Sequence, residues 1–140
     1  MKQRVLFVCN RNAGRSQMAE GLLRHDLGDR YEVYSAGFEP SSRVHPDTVL
    51  VMQEIGIDIS HQRPKHISEF RDMSLDIIVF LCSCEGLCPP LPEASSLLHR
   101  EFPDPFLPAR SEQDHVARFR AVRDEIRAWL KDTFGNGFPL

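Results

Sequence analysis

The sequence predicts an α/β fold: a single-domain, three-layer sandwich in which a four-stranded parallel sheet carries helices on both faces. Short, nearly continuous apolar runs, typical of strands buried on both sides, alternate along the chain with segments of helical periodicity. Alternation of this kind indicates a parallel sheet covered by helices. The length of 140 residues suits one domain with a sizeable core, and we assign residues 1–140 to a single domain.

The first half of the chain supplies two strands and two helices. Residues 4–8, RVLFV, form the first strand, and residues 31–36, YEVYSA, form the second. Between them, residues 16–27 place their apolar side chains on one helical face. The dipeptide His45-Pro46 opens the second helix, because proline is favoured in the first turn.

The second half adds a short helix at 67–71 and a buried strand at 75–81, LDIIVFL. The weakly apolar segment 98–102, LHREF, is the expected fourth strand. A long helix covers 111–134, since a Ser-x-x-Asp capping sequence precedes apolar residues at helical spacing.

Three candidate loops meet at one edge of this sheet. Parallel α/β sheets bind ligands at the carboxyl ends of their strands. Cys9, the segment around Cys82 and the segment after Phe102 all follow predicted strands. We therefore expect the functional site at that edge.

Composition excludes several classes of function. The net charge of −3 gives no reason to expect nucleic acid or an anionic membrane as a partner. No apolar stretch approaches the 18 or so residues of a membrane span. The apolar run near the N-terminus is too short for a signal peptide, so we expect a cytoplasmic protein.

The loop from Cys9 to Arg15 has the properties of an oxyanion site. Backbone N–H groups between a strand and a helix start converge on an anion, and the helix dipole adds positive potential. The Arg15 guanidinium matches two oxygens of a tetrahedral oxyanion. This field favours a thiolate at Cys9, which is then a nucleophile. The Ser16 hydroxyl either donates a hydrogen bond to this thiolate or simply caps the helix. The residues expected to bind the oxyanion are Asn10, Arg11, Asn12, Ala13, Gly14 and Arg15.

Three of the four cysteines, Cys82, Cys84 and Cys88, lie within seven residues. Without a secretion signal this spacing favours redox chemistry or metal binding over a structural disulfide. A Cys-x-Cys start is not the usual zinc spacing, and no metal site is predicted. Plain core thiols at a strand end are the alternative for one of these cysteines.

Asp104 lies between two prolines in FPDPFLP, on a stiff loop at the expected edge. A carboxylic acid there is placed to protonate a leaving oxygen. The alternative is a turn aspartate, because Asp-Pro is a common turn sequence.

The segment CNRNAGRSQMAEG, after VLFV, resembles the low-molecular-weight protein tyrosine phosphatase superfamily, and above all its arsenate reductases. YSAGFEP, VHPDTVLVMQEIGIDIS and the Asp104-Pro105 pair also match. The resemblance implies a Cys9 nucleophile, an Arg15 oxyanion clamp and Asp104 near the site. We expect no cofactor and a monomer. It implies that Ser16 assists the thiolate and that Asn12 shapes the loop. Arg11 and Gly14 depart from the common pattern, which has glycine at the first position and cysteine or serine at the second.

In such a reductase, Cys9 attacks arsenate and Cys82 then attacks the Cys9 sulfur, releasing arsenite. A third thiol takes over the disulfide. Cys88-Pro89 matches members that use thioredoxin, whereas Cys82-Ser83-Cys84 matches members that use glutaredoxin with glutathione. Both options stay open.

Two other functions remain as alternatives. A phosphotyrosine phosphatase needs only Cys9 and often has tyrosine where Phe106 stands here. A non-catalytic arsenite sensor would use the close thiols for binding alone. Some reductases also hold potassium near the positions of Asn12, Glu20 and Ser35, but Lys65 stands near the place of a further acidic ligand and no ion is predicted.

Overall fold

The computed structural model describes residues 2–82 and 91–135. The strands are β1 (Gln3–Cys9), β2 (Tyr31–Gly37), β3 (Leu75–Phe80) and β4 (Ala94–His99). The helices are α1 (Arg15–Leu27), α2 (Pro46–Gln53), a short 3₁₀ helix (Ile67–Phe70) and α3 (Glu112–Phe134). Among these helices, none has the length and apolar character needed to cross a membrane.

The four strands form one parallel sheet in the order β2-β1-β3-β4. The chain runs from β1 to one side and then returns across β1 to the other, so the direction of winding changes between β1 and β3. Parallel sheets bind ligands at such a switch point, outside the carboxyl ends of the strands. Cys9 ends β1, and the register that pairs Val8 with Phe80 brings Cys82 beside it. The predicted fold class is confirmed.

Both faces of the sheet are buried. Alternate residues of β1 point to opposite faces, so Val5 and Phe7 join the core shared with α1, α2 and α3, while Leu6 and Val8 join a second cluster that includes the short 3₁₀ helix. Burying β1 on both sides fixes its register, because a one-residue slip would exchange the two sets of side chains. The end of β1, where Cys9 stands, is therefore held rigidly.

The long helix α3 begins and packs as its sequence predicts. Ser111 caps it by accepting a hydrogen bond from the Asp114 N–H at 3.1 Å, while the Asp114 carboxylate accepts the N–H of Arg110. The residues of α3 that are buried in the core are Phe119, Val122, Arg123, Ile126, Leu130 and Phe134.

The predicted fourth strand was wrong in position. The structure pairs Ala94–His99 with β3, four residues before the expected segment 98–102. This is an edge strand whose side chains are mostly exposed, and Ser95 and Ser96 give it little apolar signal. The prediction followed the apolar residues Leu98 and Phe102, of which only Leu98 belongs to the strand.

Candidate active site

The carbonyl oxygens of the loop after β1 are bound on its outer side. The Asn10 carbonyl accepts the Glu39 N–H at 2.8 Å, and the Arg11 carbonyl accepts the Ser41 N–H at 2.9 Å. The Ala13 carbonyl accepts the backbone N–H of His45 and the hydroxyl of Thr48, both at 3.0 Å. In a trans peptide the next N–H points the opposite way, so N–H groups of the loop face its centre, as an oxyanion site requires.

Gly37, at the end of β2, permits the close approach on which this loop depends. A Cβ atom on Gly37 would lie 2.6 Å from the Asn10 carbonyl oxygen and 3.0 Å from the Asn12 backbone nitrogen. Both are backbone atoms that cannot rotate away. Only glycine therefore lets β2 support the loop at this distance.

The predicted nucleophile, Cys9, lies in contact with Ser16. The Cys9 thiol is buried, and its Sγ lies 2.8 Å from the Ser16 Oγ in the first turn of α1. The Asn12 side-chain amide donates to the same Ser16 oxygen at 2.7 Å. Because Asn12 already donates to this oxygen, the Ser16 proton is free to point at sulfur. The arrangement suits a thiolate at Cys9.

The orientation of the Asn12 amide follows from its other partners. Its Oδ1 accepts the backbone N–H of Lys65 at 2.9 Å and the Gln17 amide at 3.0 Å. A backbone N–H is always a donor, so Oδ1 must face it and Nδ2 must face Ser16. Asn12 has φ of 52°, in the left-handed region that asparagine tolerates better than most residues. Its side chain therefore links the loop to Ser16, Gln17 and Lys65.

Arg15 connects the loop to the segment that follows β4. Its Nη1 donates to the Phe102 carbonyl at 3.0 Å, and its side chain lines a cavity of about 1160 Å³. Cys9 and Asp104 line the same cavity. The Asp104 carboxylate accepts the Phe106 N–H at 2.9 Å through one oxygen. A thiol, a guanidinium and a carboxyl group therefore share one cavity.

Cys82 is a second buried thiol at the end of β3. Burial and the neighbouring Cys9 raise its pKa to about 11, against smaller opposing effects of Arg15 and the Asn10 N–H. A negative charge on Cys9 repels a Cys82 thiolate, which is one reason why the Cys82 pKa is raised. Cys84 and Cys88 lie outside the described residues, and their predicted roles stay predictions.

The absence of a side chain at Gly14 is explained by Phe106, whose ring lies over it. A Cβ at position 14 would be 2.6 Å from Phe106 Cε2 and 3.0 Å from Cζ. Phe106 in turn packs edge to face against His45 and Phe119. The departure at position 14 is therefore paired with a bulky aromatic ring in the wall of the cavity.

We expect Gly14→Ala to lower the free energy of unfolding by about 1–3 kcal/mol, because the Phe106 ring must leave its packed position. Urea denaturation checks this value. In a Phe106→Leu background the same change should cost clearly less. An equal cost in both backgrounds would contradict the proposed clash.

The buried carboxylate of Glu20 already has cationic partners. Arg24 lies 2.8 Å from one of its oxygens and Lys65 lies 3.6 Å from the other, which also accepts the Ser35 hydroxyl at 2.6 Å. The Lys65 ammonium donates to the Arg63 carbonyl as well, and burial lowers its pKa. These residues do not fit a bound potassium ion, because an ammonium stands where the charge is needed.

We expect Lys65→Met to lower the free energy of unfolding by about 1–3 kcal/mol, because the buried Glu20 carboxylate then loses one of its two cationic partners and keeps the half-exposed Arg24. Potassium should recover part of the loss in this variant and leave the unmodified protein unchanged. Thermal denaturation in potassium chloride and in tetramethylammonium chloride measures both effects. Lys131→Met, at an exposed position, is the control. Equal losses in the two variants would contradict the assigned role of Lys65.

Two contacts that support Asn12 were not predicted from the sequence. Gln17, fully buried, donates to the backbone and side chain of Asn12, and its own oxygen accepts the Gln62 amide at 2.7 Å. Lys65 supports Asn12 through its backbone N–H. The sequence offered one signal: Gln17 lies on the apolar face of a helix beside Met18, and a buried glutamine needs polar partners.

Comparison with known proteins agrees with this site. The family model for low molecular weight phosphotyrosine protein phosphatases matches residues 4–134. The chain belongs to this family. Within the family it is similar to the arsenate reductase of Halalkalibacterium halodurans, at 40% identity over 131 residues, 93% of this chain and 94% of that protein. It is also similar to arsenate reductase 1 of Staphylococcus epidermidis, at 41% identity over 136 residues, 96% and 97% of the two chains.

Solved structures give the same relationship. An arsenate reductase in the phosphate-binding state superposes with a TM-score of 0.81 at 32% identity, covering 96% of this chain and 98% of that one. A thioredoxin-dependent arsenate reductase of Corynebacterium glutamicum superposes with a TM-score of 0.66 at 32% identity, covering 94% of this chain and 61% of that one. The resemblance predicted from the sequence is confirmed.

Proposed function

We propose that this protein is an arsenate reductase that converts arsenate to arsenite through a thiol relay. The observation that carries the proposal is the second buried thiol, Cys82, beside Cys9 at the switch point of the sheet. A phosphatase of this fold needs only the nucleophile and its loop. Two neighbouring thiols can supply the two electrons that reduction of arsenate requires, because they release two electrons when they form a disulfide.

In the first step Cys9 attacks arsenic. The Ser16 hydroxyl and the N–H groups of the loop favour the thiolate, while Arg15 and the loop hold the oxyanion. A bond forms between sulfur and arsenic, and one oxygen leaves. Asp104 lines the same cavity, and we assign it the proton that makes this oxygen leave as water. Arsenic is still As(V) at this stage.

In the second step Cys82 attacks the Cys9 sulfur. A disulfide forms, the sulfur–arsenic bond breaks, and its electron pair stays on arsenic, which becomes As(III) and leaves as arsenite. The raised pKa of Cys82 assigns the order of attack: Cys82 stays protonated while arsenate is attacked, and so acts second. Its proton passes to the departing arsenite or to solvent.

The last step regenerates the protein with an external thiol reductant. We propose that a third thiol, Cys84 or Cys88, attacks Cys82 and carries the disulfide to thioredoxin, or to glutaredoxin with glutathione. The thioredoxin-dependent relative supports the first reductant. The cytoplasmic location and monomeric state expected from the sequence belong to the same proposal.

Steady-state arsenite production tests the function. The reduced protein should form arsenite continuously with one of two reductant systems, thioredoxin or glutaredoxin with glutathione. A Cys9→Ser variant should form none. The system that sustains turnover identifies the reductant. Hydrolysis of aryl phosphates without any arsenite from arsenate would favour the phosphatase alternative instead.

A further inference from the structure

A cluster of two histidines and one aspartate lies in the wall of the cavity, outside the groups assigned to the reaction. His45, Asp47 and His115 each present a potential ligand atom, and these atoms lie within 4.8 Å of one another. His45 and Asp47 stand at the start of α2, whereas His115 stands in the first turns of α3. All three line the cavity that contains Cys9.

Packing orients both imidazole rings before any ligand arrives. The His45 ring stacks on Phe119, with ring centroids 5.3 Å apart and planes 17° apart. The His115 ring also contacts Phe119, at 5.0 Å, and the two imidazoles lie 5.4 Å apart. Neutral imidazole is the form that binds metals. A donor set held in place in this way loses little conformational entropy on binding.

We propose that His45, Asp47 and His115 form a binding site for a divalent transition metal such as Zn²⁺ or Ni²⁺ at the wall of the oxyanion cavity. Two imidazoles and a carboxylate are a donor set that these metals prefer. Three protein ligands leave a coordination position for water or an oxyanion.

A metal at this site must replace hydrogen bonds that its ligands already make, and this lowers the expected affinity. In the metal-free protein, His115 Nδ1 and Asp47 Oδ2 lie 2.6 Å apart in a hydrogen bond, and His45 Nδ1 accepts the Asp47 N–H at 3.1 Å. A metal replaces the first contact, releasing its proton to solvent, and competes with the second. We therefore expect weaker binding than at a dedicated structural zinc site.

The site couples metal binding to the oxyanion loop. The backbone N–H of His45 donates to the Ala13 carbonyl at 3.0 Å, so a shift of His45 moves the outer wall of that loop. A cation in this wall changes the field felt by a bound oxyanion. Metal binding itself does not depend on the proposed reductase activity, and the two proposals fail separately.

Paramagnetic broadening of histidine signals by Ni²⁺ tests the site directly. Ni²⁺ is added in substoichiometric amounts to the reduced protein at about pH 7.5, where neutral imidazole predominates. The imidazole signals of His45 and His115, assigned with the His45→Gln and His115→Gln variants, should broaden before those of the other four histidines. Broadening of the other four histidines before these two would overturn the proposal, as would uniform broadening.

Calorimetric titration with Ni²⁺ supplies the second readout. Both Asp47→Asn and His115→Gln should weaken this binding about tenfold or more, the scale of losing a metal-site contact. His25→Gln is the matched control, because His25 lies 3.1 Å from Asp26 as an exposed histidine–carboxylate pair outside the cavity. Circular dichroism checks the fold, and the two variants test the site independently. Equal affinity in the control and in both cluster variants would overturn the proposal.

Discussion

Cys82→Ser should abolish arsenite formation while leaving oxyanion binding intact. Turnover should fall about 10³-fold or more, the scale of losing an essential nucleophile, because nothing then attacks the Cys9 sulfur. Phosphate binding should stay close to that of the unmodified protein, since the Cys9–Ser16 and Arg15–Phe102 contacts do not involve Cys82 and a serine hydroxyl can still accept the Asn10 N–H. Steady-state arsenite formation and phosphate titration measure the two quantities.

The single-turnover behaviour of the thiol variants separates their roles. Cys82→Ser should release no arsenite even once. Cys84→Ser and Cys88→Ser are the matched controls, because each retains Cys9 and Cys82 and should release arsenite in the first turnover. A Cys82→Ser protein that releases arsenite at the normal rate would contradict the relay.

Asn12→Asp should strongly slow the alkylation of Cys9, although it only replaces the NH₂ group of the side chain by an oxygen. The introduced carboxylate accepts the Lys65 N–H as before, but the oxygen that replaces Nδ2 faces Ser16. The Ser16 hydroxyl must then donate to this carboxylate, and Cys9 loses its donor while gaining a negative neighbour. We expect alkylation of Cys9 by iodoacetamide near neutral pH to slow about tenfold or more, because the thiolate is the reacting form.

Asn10→Asp is the control for this variant. It adds the same charge to the same loop on an exposed side chain, where solvent screens it and no contact with Ser16 is made. The rate of Cys9 alkylation should therefore fall much less than in Asn12→Asp. Equal rates in the two variants would show that charge alone, and not the direction of the Ser16 hydrogen bond, governs the thiolate.

The parts of the site that the sequence predicted are those encoded in one continuous segment. Cys9, Arg15 and Ser16 follow an apolar strand and open a helix, so their relative positions depend on local structure alone. The strands β1 and β3 were equally clear because burial on both faces requires apolar residues throughout. Asp104 reached the cavity because a short loop follows a strand at the expected edge.

The parts that sequence reasoning missed depend on tertiary contacts. His115 meets Asp47 only because α3 packs against α2, 68 residues later in the chain. Lys65 reaches Asn12 across 53 residues, through a backbone N–H that carries no sequence signal. The position of β4 was missed for a related reason: an edge strand with exposed serines lacks the apolar pattern that marks a buried strand.

A single turnover without external reductant tests the thiol relay. The fully reduced protein is mixed with arsenate without any added reductant, arsenite is quantified, and disulfides are mapped by mass spectrometry. The relay predicts about one arsenite per chain, because one disulfide supplies the two electrons, and Cys82 should be found in that disulfide. No arsenite, with all four thiols still free, would contradict the relay and leave a phosphatase-type site beside an unexplained thiol.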